Sequence, residues 1–225
     1  PSKTKTPPGL SGYLTNSLEE HHPEMDTLFA SWLSREANDA SWIKKNMPIM
    51  VAFGNPPYNG ESINKGDWIM GLMDSYKKEP SGGKLKEKNS KWINNDYAKF
   101  IRMGEFFVEK NGEGILAYIT SHSYLDGPIF RGMRYHLLKT FDEIYVIDLH
   151  GNAQKKETTP DGRADKNVFD IMEGVAIIIA VKYSNKTDSN KLANLHHFDL
   201  WGERKSKYDF LSTNKLSSIS FQKLN

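Results

Sequence analysis

Four short, near-continuous apolar runs, spaced by stretches of helical periodicity, constrain this chain more than any other feature. They occupy residues 48–53, 114–120, 143–149 and 175–183. Runs of that length and make-up suit strands of a parallel sheet buried on both faces. Between them, Tyr97, Phe100, Ile101, Phe107 and Val108 share one face of a helix over 96–110. Pro128 stands at the first turn of another helix that runs to about Phe141. Strands alternating with helices predict an α/β fold with a mostly parallel, doubly wound sheet. Upstream, residues 12–15 read as a short strand entering a turn at Asn16-Ser17. Met25, Leu28, Phe29, Trp32 and Leu33 then give residues 23–37 the spacing of an amphipathic helix.

Two segments lack such periodicity. Residues 61–95 are polar and rich in lysine and glycine, and read as an insertion or mobile loop. Residues 151–174 are charged, and an irregular stretch of that length in a compact domain is usually functional or disordered. Beyond Ser184 only scattered apolar residues such as Trp201 and Phe210 remain. Residues 1–184 are therefore expected to form the folded domain, and 185–225 a linker toward a further domain.

Composition excludes several classes of function. The 225 residues contain no cysteine, so disulfides, thiolate metal sites and cysteine nucleophiles are ruled out. That usage suits a reducing bacterial cytoplasm. No apolar run approaches the ~20 residues of a membrane span, and no membrane partner is expected. Net charge is only +2, so a nucleic-acid partner must be recognised through local chemistry. The adjacent pairs His21-His22 and His196-His197 do not share a helix or strand face and read as surface residues. No metal ligand set is expected.

Asn55-Pro56-Pro57-Tyr58 carries the chemistry. It follows the run 48–53, at the carboxyl edge where open α/β sheets bind ligands. An exocyclic amine on a base is a poor nucleophile because its lone pair is delocalised into the ring. Acceptors for its two N–H bonds favour a more tetrahedral, reactive nitrogen. The Asn55 side-chain oxygen and the Pro56 carbonyl can be those acceptors, and two consecutive prolines fix their directions in advance. Tyr58 offers a flat face on which an extruded base can stack.

The tetrapeptide resembles the Asn/Asp-Pro-Pro-Tyr motif of amino-methyltransferases, and its order is similar to the gamma class of N6-adenine DNA methyltransferases. Further segments resemble single-chain type I-like (type ISP) restriction-modification enzymes: residues 13–19, 95–102, 142–152 and 167–177. The resemblance implies an incomplete Rossmann-like methyltransferase fold with an antiparallel terminal strand. It also implies S-adenosyl-L-methionine as cofactor and double-stranded DNA as partner, with target-recognition and helicase or nuclease domains elsewhere in the polypeptide. By the same resemblance, Asn55, Pro56 and Tyr58 are catalytic, Tyr58 and Phe169 hold the flipped base, and Asn16 with Asn55 meets the cofactor. The glycine-rich cofactor loop of the family is not visible. Ser81-Gly82-Gly83 follows no strand and opens no helix, so weak or absent cofactor binding is expected.

The acceptor logic applies equally to N4-cytosine, RNA and protein-glutamine amines, whereas C5-cytosine methylation needs the absent cysteine. Two other classes remain open: a catalytically incomplete DNA-binding scaffold, and a metal-dependent nuclease. The nuclease lacks the expected Asp/Glu-x-Lys step on a strand.

Overall fold

The computed structural model describes residues 12–13, 15–20, 31–58, 60, 62–87, 90–184 and 191–224. The chain divides into two units, 1–47 and 48–225. In the first, helix α1 spans Ser31–Asn46. Residues 12, 13, 15 and 16 form no strand, and Ser17-Leu18 make a turn. The expected strand is replaced because the Asn16 side chain accepts from the Leu18 amide at 3.1 Å, a local bond that competes with extended structure. Lys44 ties this turn down, donating to Thr15 Oγ1 at 3.1 Å and to the Asn16 and Glu19 carbonyls at 2.7 and 3.0 Å. The helix expected over 23–37 ends nine residues later than its spacing predicted. Met25, Leu28 and Phe29 lie outside the described residues.

In the second unit the elements run β1 (Val51–Gly54), α2 (Asp67–Met73), α3 (Asp96–Asn111), β2 (Gly114–Ser121), α4 (Ser123–Asp126) and α5 (Arg131–Thr140). They continue with β3 (Glu143–His150), β4 (Val175–Lys182), β5 (Asn194–Asp199), α6 (Arg204–Thr213) and β6 (Gln222–Leu224). The six strands lie in the order β1-β2-β4-β3-β5-β6. Strands β1, β2, β3 and β5 point one way, while β4 and β6 run against them. The four expected strands are all present, and 175–183 is antiparallel as expected. It lies between β2 and β3 rather than at an edge.

Alternation along the strands sorts side chains onto two cores. Leu116, Tyr118, Ile144, Val146, Ala176 and Ile178 pack with Tyr97, Ile101 and Val108 of α3 and Met133 and Leu137 of α5. Ile147, Leu149 and Val175 face the other side, where Phe210 and Leu211 of α6 and the segment through Val168 and Phe169 cover them. No helix is long and apolar enough to cross a membrane.

Three readings change. The run 48–53, expected as a central buried strand, forms an edge strand. It pairs with β2, and among the described residues with no other strand, which leaves Val51 and Phe53 at 52% and 79% exposure. Residues 62–87 and 90–95 are structured, because Ile69, Met73 and Tyr76 recur at helical spacing and are fully buried, as is Ile93. Residues 194–224, expected within a linker, extend the sheet by two strands. β5 pairs with β3 from Glu143 to Asp148, and its partial burial explains its weak apolar signal.

Helix α3 starts at Asn95, whose side chain accepts from the Ala98 amide at 3.3 Å. Its buried face carries charge. Glu105, fully buried, accepts from Tyr76 at 2.8 Å, bonds His136 at 2.9 Å and lies 3.3 Å from Arg102, which also reaches Glu109 at 2.8 Å. Burial alone raises the Glu105 pKa. The His136 hydrogen bond, with the charges of His136 and Arg102, more than offsets this and holds it below the usual carboxylate value. A depressed carboxyl stabilises the fold above its unfolded pKa and loses that contribution as pH falls through its folded value. Acid unfolding of wild type is therefore expected to be steeper than that of Glu105→Gln, measured by circular dichroism between about pH 5 and 2. Parallel curves for the two proteins would contradict this.

Candidate functional site

The strand directions decide where chemistry can gather. The carboxyl ends of parallel β1, β2 and β3 and the amino end of antiparallel β4 share one rim of the sheet. Asn55 follows β1, Ser121-His122 end β2, His150 ends β3, and Phe169 to Gly174 lead into β4. Residues more than a hundred positions apart therefore meet at one edge, the edge where open α/β sheets bind ligands.

At the β1 corner, Asn55 and Pro57 are exposed and Pro56 is buried. Tyr58 is half-buried, and its hydroxyl lies 2.8 Å from Asn55 Oδ1 and 3.2 Å from the Ile119 carbonyl. Burial, reinforced by the Glu173 charge, pushes the Tyr58 pKa well above its ordinary value. The phenol thus keeps its proton and donates, which fixes the orientation of the Asn55 amide. A second lone pair on Asn55 Oδ1 remains for another donor. The Tyr58 and Phe169 rings lie 6.4 Å apart between centroids, tilted by 49°.

Phe169 is held by a dense set of backbone contacts. Asn167 Oδ1 accepts from the Phe169 amide at 2.8 Å, and Asn167 Nδ2 donates to the Gly151 and Glu173 carbonyls at 3.1 and 2.7 Å. Gly151 has φ 79°, and a Cβ there would collide with the Asn167 backbone. From α6, Arg204 donates to the Asn167 and Phe169 carbonyls at 2.8 and 2.9 Å, and Tyr208 bonds the Val168 carbonyl. Lys207, fully buried, donates to the Leu149 and Lys166 carbonyls at 2.7 Å and lies 2.9 Å from Asp165. On the β4 side, Glu173 accepts from Ser121 and, at 3.0 Å, from Ser123. The His122 amide donates to the Gly174 carbonyl at 2.9 Å, and a Cβ at Gly174 would enter the His122 ring.

The structure thus brings together Asn55, Pro56, Tyr58 and Phe169. Asn16 belongs to the other unit, where its exposed side chain is engaged in its own turn, with Nδ2 donating to Glu19 at 3.0 Å. Sequence reading missed Asn167, Glu173, Arg204 and Lys207. Asn167 lies inside one of the family-like segments, but the α6 residues carry no motif.

The groups expected to hold a nucleoside cofactor do not fit what is present. Among the described residues no strand enters a glycine-rich turn that opens a helix. Ser81-Gly82-Gly83 instead tips a small hairpin closed by a Lys78–Lys84 bridge, with Gly82 N donating to Glu79 O at 2.8 Å. The described residues present carbonyl and amide acceptors and two aromatic rings at this rim, and no cradle for a ribose or a methionine moiety.

No curated protein matches the sequence. Among solved structures, the chain is similar to the ATP-dependent Type ISP restriction-modification enzyme LlaBIII bound to DNA. The identity is 26% and the TM-score 0.74, over 95% of this chain and 14% of that one. A DrdV–DNA complex is similar in fold at 23% identity and TM-score 0.73, over 95% of this chain and 20% of that one. A nuclease-deletion mutant of the Type ISP enzyme LlaGI, in complex with a DNA substrate mimic, gives 20% and 0.73, over 95% and 17%. The chain therefore spans a fifth or less of the length of these structures. The model of the Eco57I restriction-modification methylase matches residues 12–154, well over half of the sequence. With that match, and a sheet rim that gathers the motif residues, the chain belongs to the Eco57I restriction-modification methylase family.

Proposed function

We propose that this chain forms the amine-handling part of a DNA methyltransferase that methylates adenine N6, within a larger bacterial, cytoplasmic restriction-modification or defence enzyme. The observation that carries the reading is the corner Asn55-Pro56-Pro57-Tyr58 at the sheet's ligand-binding rim, facing Phe169 across a 6.4 Å ring separation. S-adenosyl-L-methionine supplies the methyl group when bound. Target recognition, and any helicase or nuclease domains, belong to other parts of the polypeptide.

The chain's own residues bind and orient. Asn55 Oδ1 accepts one N–H of the adenine amine through the lone pair left by Tyr58, and the Pro56 carbonyl accepts the other. Both acceptors are in place before the base arrives, so no reorganisation is needed as the nitrogen becomes nucleophilic. Tyr58 and Phe169 hold an extruded base on two sides. The amine proton leaves to solvent after transfer.

The test is tritium transfer from methyl-labelled S-adenosylmethionine to duplex DNA by the parent protein, followed by nucleoside analysis. Label in N6-methyladenine is expected. Label in cytosine, RNA or protein, or none at all, would overturn the reading. One rival is a DNA-binding scaffold without catalysis, suggested by the lack of a glycine-rich turn among the described residues, in which Asn55→Ala leaves biological activity intact.

Tyr58 separates two effects. Tyr58→Ala removes a stacking face worth about 1–3 kcal/mol, hence roughly 5–150-fold in affinity for the extruded base. Tyr58→Phe keeps the ring and loses the bond to Asn55, and is expected to lower kcat by about tenfold with DNA affinity retained. Equal losses in both variants would contradict the split.

A further inference from the structure

The rim carries a second cluster, built by residues the methyl-transfer reading does not use. Between Asp148 and His150 the pairing of β3 with β4 slips, and His150 has φ 51°. Such a bulge re-aims the side chain that follows it. His150 is 6% exposed, and its ring stacks on Trp201. Its Nε2 lies 2.8 Å from Asp199 Oδ1, and a carboxylate only accepts, so Nε2 holds the proton. In the neutral ring Nδ1 is then a buried lone pair, and it has no hydrogen-bond partner. It faces Asp148 Oδ2 at 3.7 Å and Glu157 Oε1 at 3.8 Å. A lone pair and two carboxylate oxygens converging in a buried space repel one another unless a cation lies among them.

His122 repeats the pattern. Its Nδ1 lies 3.1 Å from Asp148 Oδ1, which leaves Nε2 as its lone-pair side, where it accepts from the Asn152 side-chain Nδ2 at 3.2 Å, a donor that an ion would displace. One ligand atom from each of His122, His150 and Glu157 falls within 4.8 Å of the others. Each imidazole is braced through its other nitrogen by a carboxylate, Asp148 for His122 and Asp199 for His150. That bracing orients metal-ligating histidines and raises their basicity. Glu157 is presented by a turn in which its other oxygen accepts from the Asn152 amide at 2.8 Å. A cavity of about 410 Å³, lined by these residues together with Leu137 and Ile178, gives access.

We propose that His122, His150 and Glu157 bind one divalent transition-metal ion, with zinc best suited to two imidazoles and a carboxylate. The three donors lie within 4.8 Å of one another and need to close by up to about 1.5 Å around a tetrahedral ion. The ion ties the start of the 151–174 segment to the ends of β2 and β3, at the base of the loop that carries Phe169. The inference stands apart from methyl transfer.

The test is zinc titration of the chelator-treated chain by calorimetry, with cobalt substitution read by visible absorption. One ion per chain is expected, with the absorption of a four-coordinate cobalt site. Glu157→Gln and His150→Asn, the latter chosen because Asn tolerates a left-handed backbone, are each expected to weaken zinc binding at least about 100-fold. Asp199→Asn is expected to weaken it about 10–100-fold. His136→Gln alters a second carboxylate–histidine cluster with Glu105 and Glu109 and is expected to bind zinc as wild type does. Circular dichroism identifies any variant that fails to fold, and Glu157→Gln, in a loop, then decides alone. No binding by the folded wild-type chain, undiminished binding in Glu157→Gln, or loss in His136→Gln instead would overturn the proposal.

Discussion

Asn55→Ala in the parent protein is expected to lower kcat for methyl transfer by about 10²–10³-fold, the usual effect of deleting one preorganised polar group at a reacting centre. DNA affinity should stay within about threefold, because the lost acceptor acts on the amine as it becomes nucleophilic rather than on the bound duplex. The fold has no reason to suffer. Asn55 is exposed, and its partner Tyr58 retains the Ile119 carbonyl as an alternative acceptor. Asn55→Asp keeps an acceptor oxygen at the same place and should recover part of the rate. Single-turnover kinetics check both. A loss expressed only in KM, or an aspartate variant no better than alanine, would place Asn55 in DNA binding instead.

Lys207→Ala is expected to cost about 3–5 kcal/mol of stability, because it leaves the buried Asp165 carboxylate without its counter-charge, held only by the Gly202 amide. Both side chains are fully screened from solvent, at 2.9 Å. In a chain of this size the melting temperature should fall by roughly 6–20 °C. The effect extends to the site. Lys207 also holds the Leu149 and Lys166 carbonyls, so its loss frees the segment that Arg204 and Tyr208 fasten near Phe169. Lys207→Met with Asp165→Leu removes both charges and should restore much of the stability, since an apolar pair of similar volume can replace a buried ion pair. Denaturant unfolding of the three proteins measures this. A single variant within 1 kcal/mol of wild type would show that the ion pair is not what latches α6 to the loop.

The readable parts of the fold were those with a periodic signature. Residues 114–120, 143–149 and 175–183 are apolar on both faces because cores lie on both sides of the sheet, and that pattern survives without any partner being known. The same logic misplaced 48–53. A strand's composition reports how much burial it can accept, and β1 pairs on one side only among the described residues. Residues 61–95 hid a helix because Ile69, Met73 and Tyr76 are too few to stand out among lysines, although their i, i+4, i+7 spacing was present.

The site divides in the same way. Asn55-Pro56-Pro57-Tyr58 is contiguous, so its chemistry could be argued from four residues. Phe169 emerged only through the family-like segment around it, and its meeting with Tyr58 follows from the antiparallel insertion of β4, which no local pattern encodes. Lys207 and His150 were invisible for a further reason. Their roles depend on burial and on partners tens of residues away, as with Lys207 and Asp165 or His150 and Asp199. Pairing of that kind is a property of the folded chain.

The most direct measurement is a structure of the parent protein bound to duplex DNA containing its target adenine. The account predicts an extruded adenine against Tyr58, its amino nitrogen about 2.7–3.2 Å from both Asn55 Oδ1 and the Pro56 carbonyl. An adenine left stacked in the duplex, or an extruded base whose amine lies away from Asn55 and Pro56, would contradict it.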